Sequence, residues 1–275
     1  MKRRALRLLG TDLPVAAILA FALLPWGWMV LSSFRPESEL TRSPIRLLPS
    51  ALTLANHVEL LARTSFAENL RDSLVVASGA VILGLSLSLP AAYAFSRFRF
   101  RGRQALRVQF LVINMFPVVL LILPLFVLMR QLGLLDTYLA LIAGHATFTL
   151  PFAIWLMTSY LDGIPVDLDH AAAIDGATRW QAMRLVILPL TVPGLVAVGI
   201  YLFIASWNEY LFALMLAGRN VRTVTVALQM FIGENQIQWS LLMAAGTLVA
   251  LPATGLFLLA QRRLVGGLTG GAVKG

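Results

Sequence analysis

The sequence predicts an all-α integral membrane protein with six transmembrane helices, and two observations support that fold class. Hydrophobic residues make up 59% of the 275 residues and charged residues only 13%, with a mean hydropathy of +0.81. An ordinary soluble domain has roughly 45–50% hydrophobic and about 25% charged residues. Six charge-poor runs also approach the roughly 20 apolar residues that cross a bilayer. They are Leu13–Leu31, Ser73–Ser96, Val108–Met129, Thr137–Leu161, Ile187–Ala217 and Ile237–Gln261.

Each run predicts a helix, because it is continuous, whereas the strands of a membrane barrel alternate over about ten residues. Trp26 and Trp28 near the end of the first run are typical of anchors at the membrane surface. They favour a retained first span, near residues 13–33, over a cleaved signal peptide. Prolines interrupt several later runs and are expected to kink helices or to line a cavity. These are Pro117, Pro124, Pro151, Pro189 and Pro193.

The distribution of basic residues predicts the orientation of the chain. An even number of spans places both termini on one side, together with the loops after the second and fourth runs. That side carries 14 of the 22 lysines and arginines, including five arginines within residues 97–107. Because basic residues concentrate in short cytoplasmic loops, we expect both termini in the cytoplasm. The same rule explains the net charge of +9 without invoking nucleic acid.

The absence of cysteine excludes several kinds of site. With no cysteine in the sequence, disulfides, thiolate nucleophiles, cysteine-based zinc sites and iron–sulfur clusters are all ruled out. The three histidines, His57, His145 and His170, lie far apart in sequence without the spacing of a metal motif. We therefore expect neither a metal site nor covalent catalysis.

The loop between the fourth and fifth runs, residues 162–187, predicts a helix, a sharp corner and a second helix. Pro165 suits the first turn of a helix, and the aspartates that follow favour the positive end of its dipole. Gly176 can adopt the left-handed conformation that ends such a helix. Thr178 and Gln181 then form a capping-box pattern, which begins a second short helix that leads into the fifth run.

The first of these helices presents one narrow face of mostly small residues. Leu168, Ala171, Ala172 and Asp175 recur at helical spacing and would let a partner backbone approach closely. An amphipathic helix lying on the membrane surface is the alternative. Such helices are usually rich in lysine, however, whereas this one is acidic. The pattern therefore favours a protein partner.

At these residues the sequence resembles the membrane subunits of binding-protein-dependent ABC importers, whose EAA loop has this form. Other blocks resemble the carbohydrate-uptake class, and within it the G-type half of the maltose transporter. The resemblance covers the chain from about residue 54 onward. Its blocks are Ile164–Ala177, Leu188–Pro189, Ala91–Phe98, Leu132–Tyr138, Leu150–Phe152, Trp155–Met157, Trp207–Glu209 and Gly267–Gly275.

The resemblance implies a MetI-like fold of type I importers, one domain over residues 1–275 with core spans over 72–261, in a bacterial or archaeal cytoplasmic membrane. It implies four partners: a second homologous permease, a dimer of ATP-binding subunits, an extracytoplasmic binding protein and a sugar. The sequence agrees on one point, because no phosphate-binding loop of the form GxxxxGK[ST] is present. ATP and magnesium would therefore be used by the partner ATPase, and this chain would bind no cofactor.

The resemblance also implies which residues dock on the ATPase. The glutamate that names the loop aligns with His170, so a fixed negative charge becomes an imidazole, for which the neighbouring Asp169 could partly substitute. The expected docking residues are Asp169, His170, Ala171, Ala172, Asp175, Gly176, Ala177, Leu188 and Pro189. The outer loop Gly218–Gln236 is expected to face the binding protein.

Polar residues inside the apolar runs are candidates for the transport path. Glu209 is the single carboxylate in these runs, and counting from Pro193 places it about 24 Å along a helix, in the outer half of the membrane. With Trp207 and Asn208 it either lines the path or pairs with a residue of a partner subunit. Asn114 is a further candidate, with an interhelical hydrogen bond as its alternative.

Two other function classes and one other cargo remain as alternatives. A secondary transporter would need intramembrane acid–base pairs for ion coupling, and only Glu209 qualifies. A membrane-embedded hydrolase would need a metal motif or a Ser–His arrangement inside the spans. An ABC importer of a non-sugar solute is also compatible with the docking loop.

Overall fold

The computed structural model describes the backbone of residues 11–44, 46–233 and 236–272, and the side chains of these up to residue 261. Apart from one isolated bridge between Ile232 and Ile237, the regular structure of this part of the chain is helical. In chain order the helices are α1 (Leu13–Ser33), α2 (Glu37–Leu40), α3 (Ala55–Arg63), α4 (Phe66–Arg97), α5 (Arg103–Asn114), α6 (Val119–Gln131), α7 (Tyr138–Asp162), α8 (Asp167–Ile174), α9 (Arg179–Gln181), a π-helical segment (Ala182–Ile187), α10 (Leu188–Trp207), α11 (Leu211–Leu216), α12 (Val224–Leu228), a 3₁₀ turn (Gln229–Phe231) and α13 (Trp239–Ala272).

Five continuous helices of the described chain are long and apolar enough to cross a membrane. They are α1, α4, α7, the helix of 29 residues from Arg179 to Trp207, and α13. Each overlaps one of the predicted apolar runs. The fifth run is shorter than predicted, because its helix ends at Trp207 and a separate short helix, α11, covers Leu211–Leu216.

The third predicted span, Val108–Met129, is not one helix. It is divided between α5 and α6, which meet at an angle of 98° across a break of four residues. Pro117 lies in that break, and the prediction of a single helix underestimated its effect. Proline has no backbone N–H to donate and it drives the preceding residue away from helical dihedral angles, so α5 ends before it.

The bent pair α5–α6 nevertheless crosses the membrane once, because of where its two ends lie. Before the pair, Ser96 at the end of α4 donates a hydrogen bond to Asp162 at the end of α7 (2.7 Å). After the pair, Tyr138 at the start of α7 donates to Asp72 near the start of α4 (2.6 Å). Since α4 itself spans a membrane, the chain passes from one side to the other between Arg97 and Tyr138. The described residues therefore contain the six predicted spans.

The chain divides into two compact units, of which the first comprises Met1–Ala67 and Ala227–Leu251. Among its described residues, the largest fully buried side chain is Arg35, which donates to the carbonyl oxygens of Arg46 (2.7 Å) and Leu48. Its guanidinium also lies over the ring of Trp28. The Glu37 carboxylate accepts hydrogen bonds from the first backbone amides of α13, which satisfies donors that a helix start leaves unpaired.

The second unit comprises Glu68–Val226 and Pro252–Gly275 and contains two apolar clusters. One joins the ends of α4 and α7 to the π-helical segment and α10, and it includes Tyr93, Met157, Leu161 and Ile187. The other joins the starts of α4 and α7 to α6 and α11. These two clusters hold the ends of the helices in place, and the polar residues near those helix ends lie next to them.

Candidate functional site

The loop at residues 162–187, called here the helical corner, has the predicted backbone. Gly176 follows α8 with φ +83°, in the left-handed region. The amide of Gly176 donates to the carbonyl of Ala173 (3.1 Å), and the amide of Ala177 donates to that of Ala172 (2.9 Å). These two bonds form the Schellman arrangement that satisfies the last carbonyls of a helix. The glycine corner was thus predicted correctly from the sequence.

The second arm of the corner begins with the predicted capping box. The side chain of Thr178 accepts from the amide of Gln181 (3.3 Å), and the side chain of Gln181 accepts from the amide of Thr178 (2.8 Å). The helix then continues through the π-helical segment into α10 without interruption. The corner is therefore a direct extension of a membrane-spanning helix.

The predicted docking residues do not all face outward. Ala172 is buried within the chain, whereas Ala171, Asp175 and Gly176 are exposed. Ala172 thus packs α8 against its own protein and cannot offer its side chain to a partner. Among the other predicted docking residues, His170 and Pro189 are exposed, and Ala177 and Leu188 are half-buried.

Large apolar side chains stand out from the corner, and the sequence reasoning missed them. Ile174 is 86% exposed, Trp180 64% and Leu185 67%. Ile174 and Trp180 flank Gly176 on the two arms. Ile174, two positions before the helix-ending Gly176, was a visible signal in the sequence. Exposed apolar side chains on a projecting corner are typical of a protein-binding surface.

Asp169 is held inside the chain by two residues that sequence reasoning did not single out. The Nε of Arg97 donates to one carboxylate oxygen of Asp169 at 2.8 Å, and the hydroxyl of Tyr93 donates to the other at 2.7 Å. His170 beside it is exposed, and its Nδ1 lies 3.9 Å from a carboxylate oxygen of the exposed Asp167. Asp169 and His170 therefore differ in surroundings although they are adjacent in sequence.

A second polar cluster surrounds Glu209 at the break between α10 and α11. Nε2 of His145 lies 3.2 Å from a carboxylate oxygen of Glu209, and its Nδ1 lies 2.6 Å from the hydroxyl of Ser206. The carboxylate also accepts from the amides of Phe212 (2.8 Å) and Ala213 (3.0 Å), at the start of α11. Glu209 thus has partners within its own chain, and the alternative of a pairing with another subunit is not needed to explain its position.

A cavity of about 290 Å³ opens beside this cluster. Its polar lining residues are His145, Thr149, Asn208, Glu209 and Tyr210. Of the predicted path candidates, the structure brings Asn208 and Glu209 together here. Trp207 is buried and its ring stacks on Phe203, while Asn114 donates to the carbonyl of Phe110 in its own helix. Neither lines this cavity.

Two aspartates hold the start of the outer loop. Asp136, with φ +60°, accepts hydrogen bonds from the backbone amides of Arg219, Asn220 and Val221 at 3.0–3.1 Å. Asp72 accepts from the amide of Arg222 (3.1 Å). Burial alone would raise the pKa of Asp136, but the hydrogen bonds from these backbone amides outweigh it and hold the pKa below its ordinary value. Glu234 and Asn235, which belong to the same predicted loop, lie outside the described residues.

Among the residues described, no group of three or more histidine, aspartate or glutamate side chains could hold a metal ion. His145 and Glu209 form a pair in space that the sequence could not reveal, but two such side chains with Ser206 make no metal centre of the usual kind.

Comparisons with known proteins agree with this architecture. Residues 80–269 match the family model described as the inner membrane component of binding-protein-dependent transport systems. The trehalose/maltose transport permease MalG of Thermococcus litoralis is 38% identical over 257 residues, with 92% of each chain covered. The trehalose transport permease SugB of Mycobacterium tuberculosis is 38% identical over 261 residues, with 94% of each covered.

A solved structure shows the same fold. A chain of a bacterial ABC transporter involved in import of the acidic polysaccharide alginate superimposes with a TM-score of 0.81 at 24% identity, covering 94% of this chain and 97% of that one. The six spans, the helical corner and the match over residues 80–269 lead to one conclusion. The chain belongs to the family of inner membrane components of binding-protein-dependent transport systems.

Proposed function

We propose that this chain is one of two homologous membrane subunits of an ATP-driven importer for a sugar, and that it forms half of the transport path. The family supports the role of a membrane subunit. Relatives named for trehalose, maltose and alginate transport support a saccharide as the cargo. The cavity lined by Asn208, Glu209 and Tyr210 offers the hydroxyl, amide and carboxylate groups that bind sugar hydroxyls.

The helical corner is the site at which a separate ATPase would act, and one observation carries this part of the proposal. Residues 173–176 and 178–181 of the corner are exposed and include the apolar side chains of Ile174 and Trp180, and the corner continues directly into the helix Arg179–Trp207. A partner that pushed on the corner would therefore move a transmembrane helix. Both termini and the corner lie in the cytoplasm in this proposal, where ATP and magnesium are available to the ATPase dimer. On the other face, the outer loop at residues 218–236 meets a binding protein.

The test of this role is a substitution at Gly176. A Cβ at this position would meet no neighbouring atom, so a substitution acts only through the backbone, which is strained for other residues at φ +83°. In Gly176→Val we expect the chain to insert and assemble, but ATP hydrolysis to lose its coupling to uptake of labelled trehalose or maltose. Strain of about 1–3 kcal/mol is enough to displace a short exposed corner.

Gly255→Ala is the matched control. This position also has no atom near a new Cβ, but it lies within α13 and has no positive φ. It should keep full uptake, because alanine favours a helix over glycine by about 1 kcal/mol. Unchanged uptake in Gly176→Val would contradict docking at the corner. Purification of the tagged chain without an ATPase or a second permease would contradict the larger proposal.

A further inference from the structure

The end of α4 is attached to both arms of the helical corner. Tyr93 and Arg97, one turn apart on α4, bind the two carboxylate oxygens of Asp169 on the first arm. Phe98 comes directly after α4. The guanidinium of Arg179, which belongs to the second arm, lies over the ring of Phe98, 5.1 Å from the ring centroid. The corner therefore contacts α4 on either side of its glycine, through polar and aromatic contacts independent of the chain connection to α10.

Arg97 also joins the corner to a third element. Its two terminal nitrogens donate to the carbonyl of Leu161 (3.2 Å), at the end of α7, and to that of Ile164 (3.0 Å), in the turn before α8. One guanidinium group thus connects α4, α7 and α8. Its side chain is 4% exposed and that of Asp169 13%, so water screens this ion pair little.

The chemistry of this contact is specific to arginine. A guanidinium presents several N–H donors in a fixed plane, so it can hold a carboxylate and two carbonyls in one orientation. A lysine ammonium would supply the same charge without that geometry. The nearby pair of Arg107 and Asp162 is different, because its side chains are 26% and 40% exposed. Solvent-exposed ion pairs of that kind contribute little to the stability of a protein.

We propose that Arg97 and Asp169 are positioning residues that make the helical corner and the adjoining end of α4 move as one body. Displacement of the corner by the ATPase is then passed to α4 through Arg97, in addition to its direct passage into α10. Asp169, in consequence, is an internal anchor and does not take the place of the family glutamate at the ATPase. The inference rests on the proposed function, since it assigns a role within the coupling of ATP hydrolysis to transport.

The first experiment measures ATP hydrolysis and sugar uptake separately in the complete transporter, reconstituted in liposomes with labelled trehalose or maltose. In Arg97→Lys we expect hydrolysis within about twofold of wild type and uptake per ATP reduced about tenfold, within the range of about 5–150-fold found for coupling between sites. Tyr93→Phe, which keeps the ring and loses one hydrogen bond, should give a smaller loss. Arg107→Gln is the control and should leave both rates unchanged.

The second experiment replaces the ion pair by a chemical cross-link between two introduced cysteines. Only these cysteines can react, because the sequence contains none of its own. The double variant Arg97→Cys with Asp169→Cys should hydrolyse ATP with little uptake. Joining the two thiols with a bis-maleimide should return uptake towards the wild-type level. A linked variant that remains inactive would overturn the inference, because it would show that the two residues must separate during transport.

The outcomes separate this inference from the proposed function. If the wild-type complex takes up the sugar with ATP and Arg97→Lys takes it up equally well, the anchor has no role in coupling and the proposed function stands. If the wild-type complex shows no ATP-dependent uptake of any saccharide tested, both fail.

Discussion

Glu209 shows at the scale of a single residue how a carboxylate can be retained within an apolar run. A charge near the centre of a membrane helix costs at least about 2.5–3.5 kcal/mol. Here α10 ends at Trp207. The Glu209 carboxylate accepts hydrogen bonds from two backbone amides at the start of α11, and it lies beside His145. The Glu209 carboxylate therefore satisfies backbone amides that have no helical partner at the break. The dipole of α11 compensates its negative charge.

Replacing this carboxylate should destabilise the break. In Glu209→Gln the amide keeps one acceptor oxygen, but its NH₂ group faces a second backbone donor. Hydrogen bonds to charged groups contribute about 1.5–3 kcal/mol, so we expect a lower midpoint for thermal unfolding of the purified transporter. The exposed Glu68, in the first turn of α4, provides the control Glu68→Gln. Equal melting of the two variants would show that Glu209 does not stabilise the break.

The helical corner and the ion pairs show which features could be predicted from the sequence and which could not. The corner was predictable because its signals are local: Gly176 ends α8, and Thr178 and Gln181 are three residues apart. His145 and Glu209, or Arg97 and Asp169, are separated by more than 60 residues. Such pairs depend on how helices pack, and hydrophobic periodicity does not determine which polar groups meet.

At the scale of elements, the outer loop is held by anchors at its start. Asp136 binds the amides of residues 219–221, and a Cβ on Gly218 would lie 2.6 Å from its carboxylate carbon. The position before Arg219 therefore requires glycine for close approach. Ser73 of α4 accepts from the amide of Val224 (2.7 Å), which extends the anchoring to the start of α12. A loop fixed in this way can present a rigid surface to another protein.

The lowered pKa of Asp136 gives this loop a defined dependence on pH. A carboxylate with a depressed pKa in the folded protein stabilises it above its ordinary pKa of 3.8, and that contribution is lost as the pH falls through the folded value. We therefore expect the amides of Arg219 and Val221 to remain protected from hydrogen exchange at pH 5. In Asp136→Asn the side-chain NH₂ would face these amides, and protection should be lost at both pH 5 and pH 7.

The exposed Glu59 on α3 supplies the control Glu59→Gln, which should leave exchange at residues 219–221 unchanged. Persistence of protection in Asp136→Asn would mean that other contacts, such as that of Asp72 with Arg222, suffice to hold the loop.

At the scale of the whole molecule, the number of spans depends on the bent pair α5–α6. Sequence composition gave six spans but not the bend of 98° at Pro117, because the apolar run itself continues through the break. A re-entrant pair would leave five crossings and place residues 101 and 132 on one side. The hydrogen bonds of Ser96 with Asp162 and of Tyr138 with Asp72 require the pair to cross. The cytoplasmic position proposed for the helical corner depends on the same crossing pattern.

Because the chain lacks cysteine, single cysteines can test this topology directly. Arg101, Leu132 and Arg219 are exposed in loops. A membrane-impermeant maleimide applied to spheroplasts should label Leu132→Cys and Arg219→Cys at once, and Arg101→Cys only after permeabilisation. Labelling of Arg101→Cys and Leu132→Cys from the same side would show a re-entrant pair. Labelling in the reverse sense would place the helical corner outside the cell, where no ATPase could reach it, and would contradict the proposed coupling.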